Sequence, residues 1–438
     1  MIARRLLLLP ILVSVFGLAS ASGQAQIDVE GRYVRLAGVP GATKAVLWTP
    51  GSGEYHPAAI FAIHRTSNFL TCGDEWARRG FMALCVNPRF DNNEASVRWE
   101  DIALDIAAGM NYLRGQPGIK YVIMQGFSGG GPSTTFYQAV AENGPGYCQG
   151  PNKLVQCPDR FTGFVPADGM ILRDAHPGNP VNGLRSINPA VLDESQPDVI
   201  DPTLDPFSPA NGYNPDGATT YSDEFRARYF RAQAARMNRL IDDALARVEG
   251  MRDGSYRYPD DDVFMVVRGE GARLMQLDPT IHHGTLQPRK VMLNDGSIVT
   301  KIAESVRLAD PTLARSNARF EGGTRLLTVR SFLSANATRA TDSMDGIDWC
   351  STNNSTVCAI RSISVPLLVT TMGAHYFIRD GEIIYENAAS QDKDFVMIEG
   401  AVHGGEPCVP CETLPGQYSN SVKNRLDYME QWIRARFS

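Results

Sequence analysis

Tyr121-Val122-Ile123-Met124-Gln125-Gly126-Phe127-Ser128-Gly129-Gly130-Gly131-Pro132 is the stretch on which the fold turns. Tyr121 to Gln125 is an apolar run of strand length, and Pro132 to Glu142 has the pattern of a helix. Between them, Gly126-Phe127-Ser128-Gly129-Gly130 fits G-x-S-x-G. Alone the pattern is weak, because the chain holds 40 glycines and chance yields it ~0.2 times in such a chain. The context strengthens it: strand, tight turn, then helix is the setting of a nucleophile elbow. Such a turn forces the serine into a strained backbone conformation and lifts its hydroxyl above the sheet edge. Glycines on either side remove side chains that would collide, and the following helix points its N–H groups at the site, where they favour developing negative charge. A phosphate-binding turn would want a P-loop lysine or G-x-G-x-x-G spacing, and neither is present.

Outward from this turn, strands and helices alternate. Tyr33–Leu36, Ala45–Thr49, Ala58–Ile63 and Phe81–Val86 read as strands, with Val39-Pro40-Gly41 as a turn and Trp76–Arg79 as a short helix. Asp101–Arg114 reads as a helix with Ile102, Ile106, Met110 and Leu113 on one face. Gly169–Arg173 is one more strand. Continuous apolar runs, rather than alternating ones, indicate a buried, mostly parallel sheet with helices on both faces, an α/β fold. From 176 to 362 the pattern breaks into segments rich in Pro, Asp, Asn and Gly. One long helix stands out there, Asp223–Glu249, capped by Ser222 and ended by Gly250, with Phe225, Tyr229, Leu240, Leu245 and Val248 on one face. The α/β pattern resumes at Pro366–Thr371, with a last strand Phe395–Glu399 and a closing helix Val422–Phe437. The expected organisation is a core of 26–175 and 363–438 with an inserted lid or cap at 176–362.

The 438 residues carry a net charge of −6 with 43% hydrophobic and 21% charged residues, a globular balance with no basic excess to collect phosphates. Nucleic acid is therefore not an expected partner. Residues 1–21 read as a secretory signal: Arg4 and Arg5, an apolar Leu6–Leu18, and Ala19-Ser20-Ala21 as a cleavage site, with Gly23-Gln24-Ala25 as a second candidate. A membrane anchor is the alternative, but the apolar run falls short of the ~20 residues a span needs and Pro10 interrupts it. No later stretch is long and apolar enough to span. Export to the periplasm or the extracellular space is the expectation, and there an even count of eight cysteines suggests disulfides. Proximity pairs Cys148 with Cys157, Cys350 with Cys358, and Cys408 with Cys411; Cys72 and Cys85 either pair or stay free. The Cys408-x-x-Cys411 spacing lacks the further ligands of a metal site and the context of a redox site, so a structural disulfide is expected.

With the Ser128 elbow, the downstream His403 and the order of strands around them, the chain resembles the α/β-hydrolase superfamily, in its serine esterase and lipase-like members, over most of the sequence outside the insertion. The resemblance implies Ser128 as nucleophile and His403, in Gly400-Ala401-Val402-His403-Gly404-Gly405, as general base on the loop after the last strand. Where the family more often places its acid, Ala374 to Tyr376, there is no carboxylate. Asp380 and Glu382 follow, in what reads as a hairpin turn. Some lipase-like members place the acid after the preceding strand, where Asp174 stands; Asp168 is at the wrong end of it. Asp174 is favoured, with Asp380 or Glu382 as alternatives. The oxyanion hole is expected from the backbone N–H of Gly129 and from the loop His64-Arg65-Thr66, where Arg65 departs from the family's common His-Gly. Arg65 could also reach a substrate carboxylate, although a surface salt bridge is the blander reading. His176 and His375 are candidates to line the pocket; adjacent His282 and His283 read as lid surface.

A serine nucleophile implies hydrolysis of a carboxylic ester, from a small molecule or a polymer, through an acyl-enzyme, with no cofactor and no metal. An amidase or peptidase, an acyltransferase, and a non-catalytic binding protein on the same fold remain open, as does the oligomeric state. Phe225, Tyr229 and Phe230 either face the pocket or pack the insertion's own core.

Overall fold

The computed structural model describes residues 28–38, 43–65, 72–90, 93–281, 283–308 and 323–438. The signal segment, the turn at Val39-Pro40-Gly41, Thr66 and His282 lie outside the described residues.

The strands are β1 (Val29–Arg35), β2 (Lys44–Pro50), β3 (Ala58–Ile63), β4 (Ala83–Val86), β5 (Tyr121–Phe127), β6 (Gly169–Arg173), β7 (Val263–Val267), β8 (Arg289–Met292), β9 (Ile298–Lys301), β10 (Thr324–Thr328), β11 (Leu367–Met372) and β12 (Lys393–Ile398). Ten of them form one sheet in the order β1-β2-β4-β3-β5-β6-β11-β12-β8-β9; β7 and β10 pair separately. From β4 to β8 every neighbouring pair is parallel. This is the mostly parallel sheet of the α/β-hydrolase fold.

Alternation of side chains along each buried strand sends neighbouring residues into different cores. Phe61, Met124, Leu172 and Val369 join the apolar cluster that also holds Ile106 and Met110 of helix α2 (Ile102–Arg114) and Phe136 of helix α3 (Gly130–Asn143). Ile60, Ile123, Ile171 and Leu368 face the other way, against Trp76 of helix α1 (Asp74–Ala77) and against Leu426, Met429 and Ile433 of the closing helix Ser421–Arg434. Both faces are covered, which explains why the strands read as continuous apolar runs.

Register sets the site. Ile63 lies beside Gly126, Phe127 beside Arg173, Arg173 beside Thr370, and Met372 beside Ile398. The parallel strands therefore end together, and the residues that follow each of them gather along one sheet edge.

The chain leaves the sheet after β6 and returns at β11, its parallel neighbour. The excursion includes helices α4 (Asn179–Ser186) and α5 (Asp223–Asp253). Ser222 caps α5, its hydroxyl accepting the Phe225 N–H at 3.2 Å. Gly250 does not end this helix; it is buried within it, and the helix runs on to Gly254, which takes the left-handed conformation at φ 81°. Phe225 and Tyr229 pack with Phe207, Tyr221 and Ala272 in a core of the insertion's own, while Met237, Leu240, Ile241 and Ala244 build a second one with Phe264 and Phe332. The excursion is not wholly apart from the sheet: β8 and β9 extend the sheet beyond β12.

Four disulfides are present: Cys72–Cys85, Cys148–Cys157, Cys350–Cys358 and Cys408–Cys411. The three proximity pairs form as expected, and Cys72 and Cys85 also pair. Among the described residues no helix is long and apolar enough to cross a membrane.

Candidate active site

Ser128 sits at the turn between β5 and α3 with φ 51°, and Asp174, which follows β6, has φ 42°; they are the two non-glycine residues with positive φ among those described. Such conformations cost of order 1–3 kcal/mol each and persist where the surroundings over-determine them. The surroundings do so here. The Ser128 N–H donates to Arg173 O at 3.2 Å, and the His176 N–H donates to Ser128 O at 3.3 Å. A Cβ on Gly126 would lie 2.5 Å from Thr134 Oγ1, and one on Gly130 would lie 2.2 Å from Ile63 O. The turn closes only with glycine at both positions.

His403 reaches the serine from a tight loop after β12. The Gly405 N–H donates to Val402 O at 2.7 Å and the Val402 N–H to Glu406 O at 2.8 Å. Arg425 of the closing helix holds the loop from behind, donating to Gly404 O at 2.6 Å while pairing with Glu75 at 2.9 Å, and Glu75 also pairs with Arg173 at 2.9 Å. The Arg173 guanidinium in turn lies 4.2 Å from the Phe127 ring centroid, and that ring packs 4.8 Å from His403.

Ser128, His403 and Asp174 are brought together. His403 Nε2 is 2.8 Å from Ser128 Oγ, and His403 Nδ1 is 2.6 Å from Asp174 Oδ2. Asp174 is fully buried, whereas the His403 side chain is 34% exposed, so the imidazole is open to a ligand and its carboxylate partner is sealed. The Met372 N–H donates to Asp174 Oδ1 at 3.3 Å. Burial alone would raise the Asp174 pKa; His375 and then His403 outweigh it and hold the carboxyl down at about 2. His375 Nδ1 lies 2.7 Å from the same Oδ2, but its N–H is not aligned for a hydrogen bond. The ligand-type atoms of Asp174, His375 and His403 lie within 4.8 Å of one another; His403 Nδ1 and Asp174 Oδ2 are already bonded to each other.

Asp380 and Glu382 are not part of this group. They lie on a helix, Ile378–Asn387, not in a hairpin turn. Asp380 receives a two-pronged contact from Arg185 at 2.7 and 2.8 Å. Glu382 accepts from the Leu286 and Gln287 N–H groups and from Arg289 and Arg379.

The Gly129 N–H donates to His64 Nε2 at 3.2 Å. Burial, followed by the charges of Arg65, His403 and Arg173, lowers the His64 pKa to about 3, so the ring is neutral and can accept. Arg65 pairs with Glu94 at 2.7 Å and also lines the cavity at Ser128. His176 and His375 line it too. His283 is buried rather than on the surface of the insertion. The cavity has a volume of about 230 Å³, and its far wall comes from the insertion: Asn179, Arg268, Glu270, Arg273 and Arg325. None of these was singled out in the sequence, where they stand in irregular segments without periodicity or motif. A second cavity of about 240 Å³, which shares Arg273 and Tyr376 with the first, is lined by Phe230, Leu274, Met275 and Ile281.

The strand order and the turn at Ser128 are those of the α/β-hydrolase fold. No protein-family model and no curated protein matches the sequence. Among solved structures, the chain is similar to the hypothetical protein PA2218 from Pseudomonas aeruginosa, at 13% identity over 94% of each chain with a TM-score of 0.41. It is also similar to brefeldin A esterase, a bacterial homologue of human hormone sensitive lipase, at 12% identity over 96% of this chain and 81% of that one, TM-score 0.41. A third is the acylaminoacyl peptidase of Pyrococcus horikoshii, at 10% identity over 93% and 42%, TM-score 0.39.

Proposed function

We propose that the protein is a serine hydrolase that cleaves a carboxylic ester, exported from the cell, with the 176–362 insertion acting as a cap on the site. The observation that carries this reading is the unbroken series Ser128 Oγ, His403 Nε2, His403 Nδ1, Asp174 Oδ2, with contacts of 2.8 and 2.6 Å. Ser128 Oγ attacks the ester carbonyl as its proton passes to His403 Nε2, and Asp174 stabilises the imidazolium and fixes its tautomer. The tetrahedral intermediate expels the alcohol, which takes the proton from Nε2, leaving an acyl group on Oγ. Water then gives a proton to Nε2 and attacks the acyl carbon; the acid leaves and Oγ regains its proton. The substrate oxygen takes the place of His64 Nε2 at the Gly129 N–H. Because His64 is neutral, that exchange separates no charge. The four disulfides are compatible with an oxidising compartment.

The test is labelling of the protein by a fluorophosphonate probe, beside Ser128→Ala and His403→Ala. Loss of label in both variants, with hydrolysis of p-nitrophenyl esters by the wild type, is the expected result. Label that survives Ser128→Ala would move the nucleophile elsewhere; a folded wild type that takes no label would leave a binding protein.

A further inference from the structure

The cavity above Ser128 is unusual in its charge. Four arginines line it, Arg65, Arg268, Arg273 and Arg325, against one carboxylate in the lining, Glu270. Two of the four are accounted for. Arg65 pairs with Glu94 at 2.7 Å. Arg273 lies 3.5 Å from Glu270 and stacks over Tyr376 at 4.8 Å from the ring centroid. Arg268 and Arg325 have no ion pair among the described residues. Arg268 Nη1 has no solvent-accessible surface and no hydrogen-bond partner. The remainder of that side chain is only partly buried and lines the cavity. His64 and His176 add no charge there, since burial holds both neutral.

Glu94 and Glu270 act on Arg268 from a distance, but neither pairs with it, and a buried guanidinium nitrogen left without a partner is costly and marks a place where an anion completes the site. Glu94 and Glu270 show what these arginines accept: carboxylates. We infer that the substrate is an ester that also carries a free carboxylate, such as the half-ester of a dicarboxylic acid, with the carboxylate held by Arg268 and Arg325 while the ester lies at Ser128. This rests on the hydrolase reading above and narrows it to a substrate class. A planar guanidinium fork matches a carboxylate with two parallel bonds, which fixes orientation as well as charge. Burial and the charges of Arg325 and Arg65 depress the Arg268 pKa to about 10, so it is still a cation at neutral pH.

The test separates binding from turnover. Ser128→Ala is titrated by calorimetry with monomethyl glutarate and with dimethyl glutarate, which differ in the free carboxylate. The wild type is assayed in parallel on the p-nitrophenyl half-ester of glutaric acid and on neutral p-nitrophenyl valerate. The expected result is that the half-ester binds at least tenfold more tightly than the diester, and that the ratio of kcat/KM values, anionic over neutral, falls at least tenfold in Arg268→Gln and in Arg325→Gln. Arg325 lies exposed on β10, so its variant keeps the test usable should the substitution at Arg268 disturb folding. Equal affinity for the two glutarates, or an anionic preference that survives both substitutions, would overturn the inference. Fluorophosphonate labelling of the wild type reports on the hydrolase reading alone. A labelled enzyme without anionic preference loses only the substrate class, and carboxylate binding without labelling loses only the chemistry.

Discussion

His375 and His403 stack with ring centroids 4.3 Å apart, and the Nδ1 atoms of both lie within 2.7 Å of one oxygen of Asp174. One carboxylate thus faces two imidazoles, of which His403 alone is aligned with Ser128. His375 is a positioning residue: it packs His403 in place and is the largest influence holding Asp174 ionised against the effect of burial. In His375→Ala the Asp174 pKa rises from about 2, so its protonated fraction at acidic pH grows. The expected outcomes are a fall in kcat of about tenfold on a neutral ester, because His403 loses the ring it stacks on, and a smaller difference between urea midpoints at pH 5 and pH 2.5 than in the wild type. An unchanged kcat and an unchanged pH dependence of stability would reduce His375 to a wall of the pocket.

Asp174→Asn and Asp380→Asn separate chemistry from stability. At Asp174 the amide leaves the imidazole without its charge partner and offers the wrong tautomer, and kcat is expected to fall ~10³ to 10⁴-fold. At Asp380 the buried partner of Arg185 is lost, which costs about 3 kcal/mol of stability and leaves kcat near that of the wild type. Kinetics and urea denaturation on the two variants decide it; equal kcat losses would mean that the acid has been misassigned.

The same carboxylate makes stability depend on pH. Its pKa is lowered on folding, from 3.8 to about 2, so the unfolded chain binds the proton first as pH falls. The stabilisation is full above about pH 4 and is lost as pH drops towards 2, amounting to about 2 kcal/mol for this one group. Urea midpoints at pH 5 and pH 2.5 should differ more in the wild type than in Asp174→Asn.

Ser128 holds its left-handed backbone conformation against its own side chain. Ser128→Gly is expected to be more stable than Ser128→Ala by about 1 kcal/mol, although both lack the hydroxyl. Thermal denaturation of the pair reads this directly. Identical melting temperatures would show that the turn stores no strain.

The sequence reached the centre of the fold because β3, β5, β6 and β11 are buried on both faces, and this burial shows in composition. It reached Ser128 and His403 because each is tied to a strand end by a short loop. Asp174 could be favoured but not fixed from sequence, since Asp380 and Glu382 were also at hand; what sets them aside is Arg185 at a distance of 195 residues and a helix where a turn was expected. The insertion was the least legible part. β8 and β9 are four residues each, and nothing local says that a strand there will pair with β12. The arginines that the insertion gives to the cavity wall were invisible for a related reason: an arginine outside any recognisable sequence pattern looks the same whether it faces solvent or a pocket. Arg65 makes a salt bridge, with Glu94, and also stands in the cavity lining.

The passage of the chain from β6 out to the insertion and back at β11 bears on how the molecule assembles. The Thr370 hydroxyl donates to Leu172 O at 3.5 Å across β11 and β6, yet the two residues are 198 apart in sequence. Until the second half of the chain arrives, β6 is an open apolar edge with its N–H and C=O groups unpaired, the kind of edge that recruits strands from other molecules. Closing so long a loop is slow relative to local helix formation. Refolding yield should therefore fall with protein concentration far more steeply than for a chain whose neighbouring strands follow one another, and the vulnerable species is a half-built sheet whose exposed side is the strand that leads into Asp174.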